Sequence, residues 1–145
     1  MALNIELIRA SFAEFKLHTK GDMSYFYDAL FKTHPNAAPL FEKVDMEKQK
    51  KLLASSLTYV VDHLHETDKL VSYLQKLGVR HQNYGTKPEH LDWIGETLLA
   101  TLAHVLGAKW TDELKNEWIT AYGIVAEHMT IGLLQTKEED EPIPP

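Results

Sequence analysis

Three side chains interrupt the apolar helical stripes of this 145-residue chain: Tyr27, Gln49 and His81. Tyr27 stands among Met23, Phe26, Leu30 and Phe31, Gln49 among Met46, Leu53, Leu57, Val60 and Leu64, and His81 follows Val71, Leu74 and Leu77. A phenol and an amide donate hydrogen bonds, and a neutral imidazole nitrogen ligates metals. Burying such a group without a partner costs about 1–3 kcal/mol. Three of them on three helices therefore point to one polar ligand shared in the core. Each taken singly has a plainer reading, since a core His usually bonds a backbone carbonyl and a core Tyr usually keeps its hydroxyl at an edge. Gln at such a position is harder to dismiss.

The remaining inventory excludes competing chemistries. Cysteine is absent, which removes disulfides, thiolate-held metals, iron–sulfur clusters and Cys nucleophiles. His63 and His65, two residues apart on a helix, point different ways and cannot chelate together. His18, His34 and His90 fall near predicted helix ends and are expected to be exposed, while His104 and His128 could meet between the last two long helices but lack a third ligand for zinc. There is no nucleophile turn of the G-x-S-x-G type, no Gly-rich phosphate loop and no dinucleotide fingerprint. Carboxylate pairs lie on solvent faces, so hydrolysis has no anchor.

The elements that must position these residues are helices, because apolar residues recur at three and four rather than at two. Asn4 can cap a first helix carrying Ile8, Phe12 and Phe15, and Asp22 a second. Pro35 disfavours helical geometry at His34 and suits the start of a new short helix. Asp45 caps the segment of Gln49, and Asp68 opens the segment of His81, whose exit is marked by Gly85 and Pro88. Pro88 begins a helix with Leu91, Ile94, Leu98, Leu102 and Val105, stopped by Gly107; Thr111 caps the last, with Leu114, Trp118, Tyr122, Val125 and Met129 inward. Strand signals are missing.

Composition fits one all-α domain over 1–136, followed by an acidic, Pro-rich segment over 137–145 that is expected to be disordered. Fifteen Lys and Arg against 21 Asp and Glu give a net charge of −6, which opposes nonspecific nucleic-acid binding. The Lys48, Lys50, Lys51 cluster reads as a solvated helix face. No apolar run reaches the roughly 20 residues of a membrane span, and the N-terminus has no signal-peptide pattern, so a cytoplasmic protein is expected.

The segments FYDALFKTHPNAAPLF (Phe26 to Phe41), LGVRHQNYGTKPEH (Leu77 to His90) and WTDELKNEWITAYGIVAEHM (Trp110 to Met129) resemble the globins, specifically the haem domains of flavohaemoglobins and single-domain bacterial haemoglobins. Tyr, Pro, Phe, Gln and His occur in that family's order over nearly the whole chain. The resemblance implies a globin fold, a three-on-three helical sandwich enclosing haem b (iron protoporphyrin IX). It implies His81 as the proximal iron ligand, Tyr27 and Gln49 as distal hydrogen-bonding groups acting on the gas, Phe41 packed on the porphyrin at the corner set by Pro35, and Leu53 as the wall above the iron. Leu77, Ile94 and Leu98 would line the haem, and Arg80 would reach a propionate or stand in solvent.

At two positions the chain departs from the flavohaemoglobin pattern. Leu91 and Leu133 stand where that family typically carries the Tyr and Glu that polarise the proximal ligand, so peroxidase-like chemistry is not expected. By resemblance, oxygen and nitric oxide are the expected ligands. The leading expectation is nitric oxide dioxygenation to nitrate with an external reductase; the alternatives are a non-enzymatic oxygen carrier or scavenger, and a gas sensor acting through a partner protein. A monomer or weak homodimer is expected.

Overall fold

A computed structural model describes residues 3–135. Six α-helices follow one another: α1 (Ile5–Thr19), α2 (Ser24–Thr33), α3 (Met46–Asp62), α4 (Thr67–Gln82), α5 (Pro88–Leu106) and α6 (Asp112–Leu134). A 3-10 turn, Pro35–Phe41, joins α2 towards α3, and a second, Gly107–Lys109, joins α5 to α6. No strand occurs among the described residues. The segment expected to be disordered lies outside them.

Local chemistry explains most boundaries. Asn4 accepts from the Leu7 amide at 3.1 Å, Asp45 from the Glu47 and Lys48 amides, and Thr111 from the Leu114 amide at 3.1 Å, each satisfying donors that the first helical turn leaves free. Two expected caps are displaced. Asp22 binds the Ser24 amide at 2.9 Å and its hydroxyl at 2.6 Å, one residue ahead of the N-cap position, which Met23 occupies. Helix α4 starts at Thr67 after Glu66, which leaves Asp68 inside the first turn, where its charge still favours the helix dipole.

The helices stack in two layers, α1, α3 and α4 against α2, α5 and α6. Ile8, Phe12, Phe15, Phe26, Leu30, Leu74, Leu102 and Trp118 fill the space between them. Ser11 ties α1 to α6 by accepting from the Trp118 indole at 3.0 Å, so the core's largest ring keeps its polar edge satisfied.

The closest meeting of backbones is between α4 and α6. A Cβ at Gly78 would strike the Met129 carbonyl, and one at Gly132 would strike the Gln75 carbonyl. Only glycine at both positions lets the two helices touch main chain to main chain.

Between α3 and α4 the arrangement is the opposite. Their backbones do not pack on one another, and they are bridged by the stacked Tyr59 and Tyr73 rings, 4.2 Å between centroids, and by the Tyr73 hydroxyl donating to Ser56 Oγ at 3.1 Å. The divergence leaves Leu53, Leu57, Leu77 and Ile94 half-buried although helical spacing turns them inward.

Candidate functional site

His81 lies in the last turn of α4. Its Nδ1 is 2.7 Å from the Leu77 carbonyl oxygen, which can only accept, so Nδ1 carries the proton and the Nε2 lone pair is left available. Burial holds the imidazole below its usual range; the Leu77 bond opposes that, and the neighbouring Arg80 charge adds to it. A neutral imidazole with one committed nitrogen and one open nitrogen is the ligating form. The Tyr84 ring stands edge-on to it at 5.3 Å.

No carboxylate shares the His81 proton among the described residues. Leu91 and Leu133 are both buried and apolar. The nearest phenol on α6, Tyr122, is engaged elsewhere, donating to the Leu91 carbonyl at 2.6 Å over the bare face of Gly95.

Tyr27 and Gln49 come from different helices, 22 positions apart, and meet: Gln49 Nε2 donates to the Tyr27 hydroxyl at 3.1 Å. The Asp45 cap starts α3 just before Gln49 and fixes its height. Because the Tyr27 oxygen accepts here, its own proton remains free to be donated to something else. Burial pushes the Tyr27 phenol up to about 12, with the Gln49 bond drawing it slightly back, so the proton stays in place at neutral pH.

An aromatic cage fixes the Tyr27 ring. Phe26 meets it at 5.0 Å and Phe41 at 5.6 Å, both edge to face, and Phe31 at 6.1 Å; Phe41 and Phe31 contact one another at 5.5 Å. The caging role of Phe26 and Phe31 is not apparent from the sequence, although the i,i+4 spacing of Tyr27 and Phe31 signals their contact.

Of the other expected site residues, Leu53 follows Gln49 by one turn and is half-buried, as are Leu77 and Ile94; Leu98 is fully packed in the core. Arg80 is exposed. Two histidine expectations need correction. The His34 side chain is only 19% exposed, stacks on Trp93 at 5.0 Å and bonds Glu96 at 3.0 Å. His90 is half-buried and its Nδ1 accepts from the Lys87 amide at 3.0 Å, capping α5. His104 stacks on Tyr25 at 4.2 Å. Among the described residues no cluster of three His, Asp or Glu could hold a bare metal ion.

The donor set fits a planar apolar group with its own metal. His81 leaves one imidazole nitrogen open, Leu53, Leu77 and Ile94 are half-covered aliphatic chains, and Tyr27 and Gln49 offer a hydrogen-bonding pair from α2 and α3. A surface groove of about 590 Å³ on the α6 side of α4, lined by Val71, Gln75, Val79 and Gln135 among others, holds none of these residues and is not the site. No helix of the described residues is long and apolar enough to cross a membrane.

Comparison with known proteins is consistent with this geometry. A model of the Globin family matches residues 24–129. A flavohemoprotein of Bacillus subtilis is 27% identical over 125 residues, 85% of this chain and 31% of that protein, so the chain spans about a third of this relative. Among solved structures, an engineered carbene transferase, a candidate nitric oxide dioxygenase from Rhodothermus marinus, superposes with a TM-score of 0.77 at 25% identity, covering 89% of both chains. A bacterial globin from Campylobacter jejuni superposes with a TM-score of 0.78 at 22% identity, covering 94% of this chain and 97% of that one, which shows the shared fold.

Proposed function

This chain belongs to the globin family, and on that premise we propose that it binds haem b through His81 Nε2 and presents Tyr27 and Gln49 to a diatomic gas. The observation that carries the reading is the Gln49–Tyr27 hydrogen bond, which commits the phenol oxygen and leaves the phenol proton to donate. Haem held in this way supplies reversible gas binding and, when oxygen and nitric oxide meet there, dioxygenation to nitrate.

The protein's own groups do the rest. His81, its tautomer fixed by the Leu77 carbonyl, holds the metal from the α4 side. Phe41 would pack on the macrocycle, with Leu53, Leu77 and Ile94 excluding water and Leu98 backing them from the core. Arg80, in solvent one residue before His81, would offer its guanidinium to a haem carboxylate. Tyr27 would donate to whichever ligand atom gains negative charge, and Gln49 would steady the phenol that does so. Repeated dioxygenation needs an electron from an external reductase.

Reversible oxygen binding without turnover is the second reading. It is favoured by His81 Nδ1 being committed to the Leu77 carbonyl, which leaves the ligand a neutral, weakly donating imidazole. Visible spectra of the purified ferrous, ferric and carbon monoxide-treated protein test the common premise: an intense haem band that shifts with gas is expected, and a folded but colourless chain would reject it. Sustained nitric oxide consumption with a native reductase then separates the enzyme from the carrier.

A further inference from the structure

Gln82 follows His81 directly and closes α4. Its side-chain amide Nε2 donates to two carbonyls at the end of α6, Gly132 at 2.8 Å and Gln135 at 2.6 Å. The Gly132 carbonyl also accepts the Gln135 amide at 3.3 Å, so the Gln82 amide adds a second donor there, satisfies the Gln135 carbonyl, and fastens α4 to the end of α6 in the same contact. One turn earlier, Gly78 and Gly132 bring the two backbones together.

Helix geometry places this hold beside the imidazole. Successive residues turn by about 100° around the axis, which puts Gln75, Gly78 and Gln82 on the face of α4 that meets α6. The same rotation puts His81 on the flank of that face, about 60° from Gly78 and about 100° from Gln82, while Tyr73 lies further round towards α3. A fastener on the first face therefore limits how far α4 can roll about its axis, and with it the tilt of the imidazole.

We propose that Gln82 is a positioning residue for His81, holding α4 against the end of α6 so that the imidazole keeps one tilt towards the metal it would ligate. This rests on His81 being the axial ligand. The consequence is a coupling between the end of α6 and gas affinity: whatever shifts Gly132 and Gln135 shifts that tilt through one amide.

The test uses the full haem-loaded chain and two readouts, the iron–imidazole stretching frequency of the ferrous ligand-free state and carbon monoxide association after flash photolysis. Gln82→Met keeps the length and removes the donor; it should shift and broaden the iron–imidazole band and change the association rate by about two- to thirtyfold, the usual reach of such couplings. Gln82→Lys, which returns a donor to the same carbonyls, should restore both towards wild type. If Met disturbs folding, Gln82→Asn, whose amide is too short to reach, serves in its place.

In His81→Gly supplied with free imidazole the ligand is untethered, and adding Gln82→Met should change neither readout. Wild-type values in Gln82→Met with native folding would overturn the proposal, as would an equal change in the untethered background. A His81→Gly chain that keeps the wild-type stretch without added imidazole would instead overturn the ligand assignment itself.

Discussion

Tyr27→Phe is expected to speed oxygen release from the haem-loaded protein by about ten- to a hundredfold. The substitution removes one oxygen atom and leaves the ring in its cage of Phe26, Phe31 and Phe41, so packing is held constant while the donor is lost. A hydrogen bond to a charged acceptor is worth about 1.5–3 kcal/mol, and about 1.4 kcal/mol is a factor of ten. The effect should be even from about pH 6 to about pH 9, because burial pushes the phenol up to about 12 and it keeps its proton throughout. Stopped-flow displacement of oxygen measures the rate, and a change within about twofold would reject a donor role for Tyr27.

Gln49 complicates the single substitution in an informative way. Without the phenol oxygen its amide has lost its acceptor and is free to donate to the gas directly, offsetting part of the loss. The double change Tyr27→Phe with Gln49→Leu should therefore exceed the sum of the two single effects.

His81→Ala should lower haem affinity by more than about 100-fold, beyond what losing an outer-shell partner of a metal ligand costs. The next histidine along the chain, His90, is committed elsewhere, its Nδ1 to the Lys87 amide and its ring against Trp93. Transfer of haem to an acceptor protein measures the loss, and added imidazole should partly reverse it. Unchanged retention would remove His81 from the metal.

Much of this architecture is legible in the residues because short-range physics decides it. The caps at Asn4, Asp45 and Thr111, the break at Pro35 and the inward stripes are all set within a few positions of chain. The candidate site is legible for a related reason: Tyr27, Gln49 and His81 each violate a stripe that otherwise predicts an apolar side chain.

What escapes the sequence depends on partners far along the chain. His34 and His90 read as exposed helix-end residues, yet Trp93 lies against both. Asp22 and Asp68 are capping residue types, but the helices start at a slightly different register. Gln82 looks like an ordinary polar residue at a helix end until the end of α6 arrives, about 50 positions later, with two carbonyls within its reach. The polarity of the Gln49–Tyr27 bond, which decides where the phenol proton can go, is likewise a property of folded geometry.

The two sides of α4 differ in how they would yield to compression. Where Gly78 meets Gly132 there is no side chain to rearrange and no void to collapse, and close-packed protein is nearly incompressible. Towards α3 the helix is bridged by the Tyr59–Tyr73 pair, and Leu53, Leu57 and Leu77 are only half covered. Hydrostatic pressure should therefore bring α3 towards α4 while α4 stays seated on α6, altering the colour of the gas-bound state well before it disturbs the vibration of the metal–imidazole bond.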